Sequence, residues 1–386
     1  MFCILCKILA WLMAGIFLFP TATAQPLEAQ PSIALTAPSY ILMETGTQAV
    51  IFEKNATDQR QAASLIKLTS ILLFMEALEN GLVTAETPVT VSKYAAATPG
   101  STALLDANST YRFEDLLRSC IITSANDATV ALAECIAGTE EAFIARMNEK
   151  AAALSLQNTH YVNCTGLSAD GQYTSAYDVA LVASALSDHP AYFEYSSLWL
   201  STLVHPSGRV TDLTNTNRLV RFYSGCDGMK TGSSPEAKYC ICATTKKDDM
   251  RLIAVLLGGS GSQIRFDEAK AMLSYGLSTY KRTAVIQRGE LTGYRVPVLR
   301  GSRDEADVAA GKGLSLLLKD GQERLLSVQL SLPESITAPM KKDEPIGSIH
   351  VMLNDQQIAS LPAVLATDVR LPGFIEGFIR ILEQWR

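Results

Sequence analysis

Two pairs of apolar, strand-like runs stand at opposite ends of a long helical stretch, and no other feature narrows the possible folds so far. The first pair, Tyr40–Met43 and Val50-Ile51-Phe52, brackets the polar turn Glu44-Thr45-Gly46-Thr47, the pattern of a β-hairpin. The second pair, Tyr239–Ala243 and Leu252–Leu257, flanks Lys246-Lys247-Asp248-Asp249 in the same way. Between them, Phe113–Leu186 is rich in Ala and Leu and carries helical spacing. An isolated hairpin is marginal in water, so an early and a late strand pair predict one sheet with helices packed on it, an α+β arrangement.

Beyond about Lys281 the pattern changes. Val296-Pro297-Val298, Ser327–Leu332, Ile349–Leu353 and Ile358–Leu361 are short strand-like runs separated by turns such as Lys319-Asp320-Gly321-Gln322. They predict a small all-β domain over 283–371, following a larger domain over 31–282. At 386 residues the chain exceeds the usual size of one domain. Its 48% hydrophobic and 19% charged residues suit a folded core, and a net charge of −6 gives no basic footprint for nucleic acid.

Both ends have a character of their own. Met1–Ala24 holds one charge, Lys7, then the apolar run Ile8–Phe19 and Thr21-Ala22-Thr23-Ala24, the layout of a secretory leader removed after Ala24, or kept as an anchor. Export follows as an expectation, to the outer face of the cytoplasmic membrane. At the other end, 372–386 is a short helical candidate with Phe374, Ile375, Phe378, Ile379 and Leu382 on one face. That face suits either a membrane interface or packing on its own domain.

Six cysteines follow the leader region: Cys120, Cys135, Cys164, Cys226, Cys240 and Cys242. Buried apolar positions are the expectation for most. Cys240 and Cys242, on one strand-like run, are expected on opposite faces and so unable to pair. No C-x-x-C spacing occurs and only four histidines are present, so neither metal nor other cofactor is expected.

Chemistry concentrates in three short motifs. Ser64-Leu65-Ile66-Lys67 opens a helix that runs to Asn80, with Leu65, Leu68, Leu72, Met75 and Leu78 at helical spacing. Three residues of helix put Ser64 and Lys67 on one face. A serine hydroxyl needs a neighbouring base, and a lysine serves only when burial and the helix end strip its proton. Alone the motif is weak, since Ser278-Thr279-Tyr280-Lys281 also matches and is read as a solvated helix end. Ser124-Ala125-Asn126 adds a second hydroxyl to relay a proton and an amide to hold a peptide backbone. Lys230-Thr231-Gly232 precedes the Tyr239–Ala243 run and offers a cation, a hydroxyl and room for close backbone approach. On a sheet edge it would let a peptide add as a further strand.

S-x-x-K, S-D-N and K-T-G in this order are the signature of penicillin-binding proteins and class A β-lactamases. Beyond them, the chain resembles the low-molecular-mass D-alanyl-D-alanine carboxypeptidases through Ala62–Lys67, Thr123–Ala128, Asn215-Thr216-Asn217, Gly225–Gly232, Glu236–Cys240 and Met250–Ile253. The resemblance implies a β-lactamase/transpeptidase-like domain, an antiparallel sheet with helices on its faces and a helical subdomain. It implies Ser64 as nucleophile, Lys67 as general base, Ser124 as proton relay and Asn126 as a substrate holder. Lys230 and Thr231 would meet the substrate carboxylate, with Gly232 beside them. The backbone N–H groups of Ser64 and Ser233 would form the oxyanion hole. Arg265 would help to bind the terminal carboxylate, with Arg251 as runner-up. The implied partners are peptidoglycan pentapeptides, with β-lactam antibiotics as inhibitors.

Two departures stand out. The family often reads K-T-G-H-T where this chain has Ser233-Ser234, and N-P-x-G-L where it has Asn163-Cys164-Thr165-Gly166-Leu167. A β-lactamase is disfavoured because no E-x-x-L-N pattern lies between Asn126 and Lys230. A penicillin-binding sensor whose acyl-enzyme never turns over would use the same residues.

Overall fold

A computed structural model describes residues 33–376 together with 378 and 379. The leader read over 1–24 lies outside these residues, as does most of the C-terminal candidate helix.

The early and late strand pairs do form one sheet. Its order runs Val50–Lys54, Ser39–Glu44, Met250–Gly259, Lys238–Lys247, Cys226–Ser234, every neighbour antiparallel. The strands are buried on both faces, so they read as near-continuous apolar runs. Side chains alternate between two cores. Ile41, Met43, Ile253, Val255 and Leu257 face the helical subdomain, while Tyr40, Leu42, Leu252, Ala254 and Leu256 face Phe266, Ala269, Met272 and Leu273 of the helix Ser262–Thr279.

The helical middle comprises Phe113–Ile122, Asn126–Ala137, Glu140–Ala153 and Ala176–Ser187, with Lys67–Glu79 beside them. Lys67–Glu79 is apolar nearly all round and mostly buried, as a central helix must be. Phe74 at its middle stacks on Phe143 at 5.2 Å and meets Phe113 edge-on at 6.3 Å. The helix expected from Ser64 begins instead as a 3-10 turn, Ala63–Ile66, that hands over to α-helix at Lys67.

Cys240 and Cys242 correct one expectation. Residues two apart on a strand share a face, and both side chains sit in the core on the helical side. All six described cysteines are free thiols, and five of them are buried.

A second domain follows. Its six-stranded sheet encloses a separate core of Val296, Val298, Val308, Ile349, Leu361 and Leu365, and a two-stranded ribbon, Tyr280–Ile286 with Leu314–Lys319, adjoins it. Three of the four anticipated runs fall within strands Leu291–Leu299, Pro345–Leu353 and Gln356–Leu365, and Ser327–Leu332 overruns its strand, Leu326–Ser331, by one residue. The Ala-rich strand Glu305–Ala310 has one β-branched residue, Val308, and no aromatic one, so little marks it in sequence.

Candidate active site

The turn that carries Ser64 is held by close backbone contact. Ala63, just before Ser64, adopts a φ of 48°, a conformation costly for a residue with a Cβ. Gly166, with φ 81°, lies directly against the Ala63 carbonyl, where a Cβ has no room. From the other side Gly232 presses on the turn: a Cβ there would stand 2.7 Å from the Ala62 carbonyl oxygen and 2.9 Å from the Ser64 nitrogen. Ser64 itself keeps partial access to solvent.

Lys67 is fully buried, and its Nζ donates to three acceptors: Ser64 Oγ at 3.2 Å, Asn126 Oδ1 at 2.5 Å and the Thr165 carbonyl at 2.5 Å. Burial is the main force on this amine and brings its pKa down to about 8. The geometry suits both protonation states. An ammonium uses all three donors. A neutral amine keeps two N–H groups for Asn126 and Thr165 and turns its lone pair to Ser64.

Asn126 opens the helix Asn126–Ala137. Its Nδ2 donates to the Pro99 carbonyl at 2.6 Å, so both ends of the amide are engaged. Next to it, the buried Asp127 accepts from the backbone nitrogens of Ala103, Leu105 and Ala128, which ties the 99–105 loop to the motif. Ser124 is buried with φ 64°, and its Oγ has no partner among the described residues. Non-glycine residues are held there only when their surroundings impose it, often at functional sites.

Lys230-Thr231-Gly232-Ser233 lies on Cys226–Ser234, the outermost strand of the sheet. Its free edge leaves backbone groups for a further strand. The Lys230 side chain is fully buried, and its Nζ has no hydrogen-bond partner among the described residues. Burial first, and repulsion from Lys67 second, lower its pKa to about 7. Arg265 stands behind this strand and donates from Nη1 to the Gly232 carbonyl at 2.9 Å and to the Cys240 carbonyl at 3.2 Å. Arg251 is committed elsewhere: it makes two 2.8 Å bonds to the Asp227 carboxylate and lies 3.9 Å over the Phe193 ring.

The three motifs thus converge on one cleft, while Ser278 and Lys281 lie exposed at the far end of the sheet's covering helix and the strand after it. Sequence reading missed the third acceptor of Lys67. Asn163 Oδ1 accepts from the nitrogens of Thr165 and Gly166, which folds a tight turn and aims the Thr165 carbonyl. Glu140, also buried, supports this turn by accepting from Cys164 N at 3.0 Å and from the Tyr94 hydroxyl at 2.7 Å. The Asn-x-Thr-Gly spacing was a turn signal; the carboxylate behind it had none.

Comparison with known proteins agrees with this arrangement. Residues 23–261 match the D-alanyl-D-alanine carboxypeptidase family of S11 peptidases, and residues 280–370 match the C-terminal domain of penicillin-binding protein 5. The chain is 33% identical over 384 residues to the D-alanyl-D-alanine carboxypeptidase DacF of Bacillus subtilis (strain 168), covering 98% of each. It is 35% identical over 377 residues to DacC of Escherichia coli (strain K12), covering 94% of this chain and 91% of that protein. Among solved structures, penicillin-binding protein 5 from Haemophilus influenzae is similar with a TM-score of 0.80 at 27% identity, over 89% of this chain and 100% of that one. Penicillin-binding protein D2 from Listeria monocytogenes, in its ampicillin-bound form, is similar over 64% of this chain and 100% of that one, with a TM-score of 0.55 at 28% identity. The chain belongs to the D-alanyl-D-alanine carboxypeptidase family of serine peptidases.

Proposed function

We propose that the chain removes the terminal D-alanine from peptidoglycan pentapeptides through an acyl-enzyme on Ser64, and that β-lactams acylate the same hydroxyl. The observation that carries this reading is the buried Lys67 amine, 3.2 Å from Ser64 Oγ and deprived of solvent.

The peptide adds along the free edge of Cys226–Ser234, its carboxylate toward Lys230 and Thr231 and its scissile carbonyl between the backbone N–H groups of Ser64 and Ser233. Ser64 Oγ attacks that carbonyl carbon while its proton passes to Lys67 Nζ. The C–N bond then breaks, and the leaving amine of D-alanine takes a proton from Lys67 through Ser124, whose unpartnered hydroxyl is free to relay. Water hydrolyses the ester by the reverse proton path. Arg265 fixes the Gly232 carbonyl, and so the strand that receives the carboxylate.

Substrate also sets the protonation states. In the free site burial lowers the pKa of both amines, Lys67 to about 8 and Lys230 to about 7, and Lys230 has no acceptor among the described residues. A bound carboxylate supplies the missing partner and favours the Lys230 ammonium. That charge, repelling Lys67, favours the neutral amine the attack needs.

The reading extends to location. Phe374–Glu376, Phe378 and Ile379 are helical, and the four apolar side chains are exposed, Phe374 at 91%. They favour peripheral contact of an exported enzyme with the membrane over packing on the adjacent domain. Product analysis on a peptide ending in D-Ala-D-Ala tests the reaction: released D-alanine supports it, and penicillin labelling without D-alanine release would favour a sensor.

A further inference from the structure

The free edge of Cys226–Ser234 ends in a turn whose side chains reach across the cleft mouth. Glu236 Oε2 accepts from the Ser168 hydroxyl at 2.7 Å, and Ser168 Oγ also lies 3.4 Å from Ser234 Oγ. Ser168 follows the Asn163–Leu167 turn that serves Lys67, whereas Ser234 and Glu236 follow the lysine-threonine-glycine motif. The two walls therefore meet here. Glu236 is exposed, and the Ser168 hydrogen bond holds its carboxyl below the usual range, so it is charged at neutral pH. It has no ion-pair partner among the described residues, although Lys238 lies on the same turn.

Strand geometry says what would lie beside it. With the substrate carboxylate at Lys230–Thr231 and the scissile carbonyl at Ser233, the peptide runs antiparallel to the strand. Each earlier residue advances about 3.4 Å toward Ser234 and beyond. The residue preceding the D-Ala-D-Ala pair then stands opposite Ser234–Pro235, within side-chain reach of Glu236. We propose that Glu236, with Ser168 and Ser234, forms a subsite for a cationic side chain on that residue, as a diamino acid would supply. The cleft is then charge-matched along its length, with Lys230 toward the peptide's carboxylate and Glu236 toward its ammonium.

This inference rests on the proposed D-Ala-D-Ala reaction, and the test separates the two. Two peptides ending in D-Ala-D-Ala are compared, with either lysine or Nε-acetyl-lysine as the preceding residue, and kcat/KM is measured from D-alanine release. The wild-type chain is expected to favour the free amine about two- to fivefold, the range of an exposed ion pair, and less in high salt. Glu236→Gln should bring the ratio close to one, and Glu236→Lys should favour the acetylated peptide. A wild-type ratio of one, or a preference unmoved by Glu236→Gln, overturns the subsite. No D-alanine from either peptide overturns the reaction on which it rests.

Discussion

Gly232 and Ser64 are neighbours through backbone alone: a Cβ on the glycine would stand 2.9 Å from the serine nitrogen. The edge strand and the Ser64 turn are therefore set at a separation that tolerates no side chain, and in the proposed reaction this sets the gap for the scissile carbonyl. Gly232→Ala should drive them apart. The expected cost is about 1–3 kcal/mol of stability, typical of overpacking. Penicillin acylation should fall by more than tenfold. Thermal unfolding and labelling on one sample check this, and a variant that labels at the wild-type rate would show that the contact is dispensable.

Burial brings Lys67 down to about 8, and this fixes a pH profile. At saturating penicillin, where the bound carboxylate keeps Lys230 charged, acylation needs only the neutral Lys67 amine, so its rate should climb about tenfold per unit at the acid end and level off by about pH 8. Folding has a matching signature. The unfolded lysine binds its proton up to about 10.4. Between about 8 and that value the unfolded chain holds more protons, so stability should rise with pH. The penalty for burying the charge is full below about 8. Stopped-flow acylation from pH 6 to 10 tests the first part; Lys67→Arg, charged throughout, should acylate too slowly to measure.

The Lys230 Nζ is buried and has no hydrogen-bond partner among the described residues. Replacing a buried, uncompensated cation by an apolar side chain of similar length removes its desolvation cost. Lys230→Met should raise the melting temperature while penicillin acylation drops tenfold or more. Opposite signs for stability and activity are the diagnostic result, and a loss of both would point to a structural lysine.

Phe374, Ile375, Phe378 and Ile379 are exposed apolar side chains, from 49% at Ile379 to 91% at Phe374. Flotation with lipid vesicles should carry up the protein lacking residues 1–24, and removal of 372–386 should leave it at the bottom of the gradient. Acylation should be the same in both.

Much of this was legible in the chain itself. Near-continuous apolar runs at Tyr40–Met43, Val50–Phe52, Tyr239–Ala243 and Leu252–Leu257 marked the sheet, because its strands are buried on both faces. Ser64, Lys67, Ser124, Asn126 and Lys230 were legible because each belongs to a short motif with fixed spacing. What stayed hidden works through backbone or through distance in sequence. The Thr165 carbonyl is one of three acceptors for Lys67, and any residue type has a carbonyl. Glu140, at the start of the helix Glu140–Ala153, reaches the Cys164 nitrogen 24 positions away. The Ser168–Glu236 contact joins two loops 68 residues apart. The 3-10 start at Ala63–Ile66 was also invisible, since its closest neighbours, Gly166 and Gly232, are remote in sequence.

The most direct test of the central claim is peptide mapping of the protein after brief exposure to penicillin. A single acyl adduct on Ser64, absent from Ser64→Ala and unaffected in Ser278→Ala, is the predicted result. An adduct on any other side chain, or labelling that persists in Ser64→Ala, would contradict it.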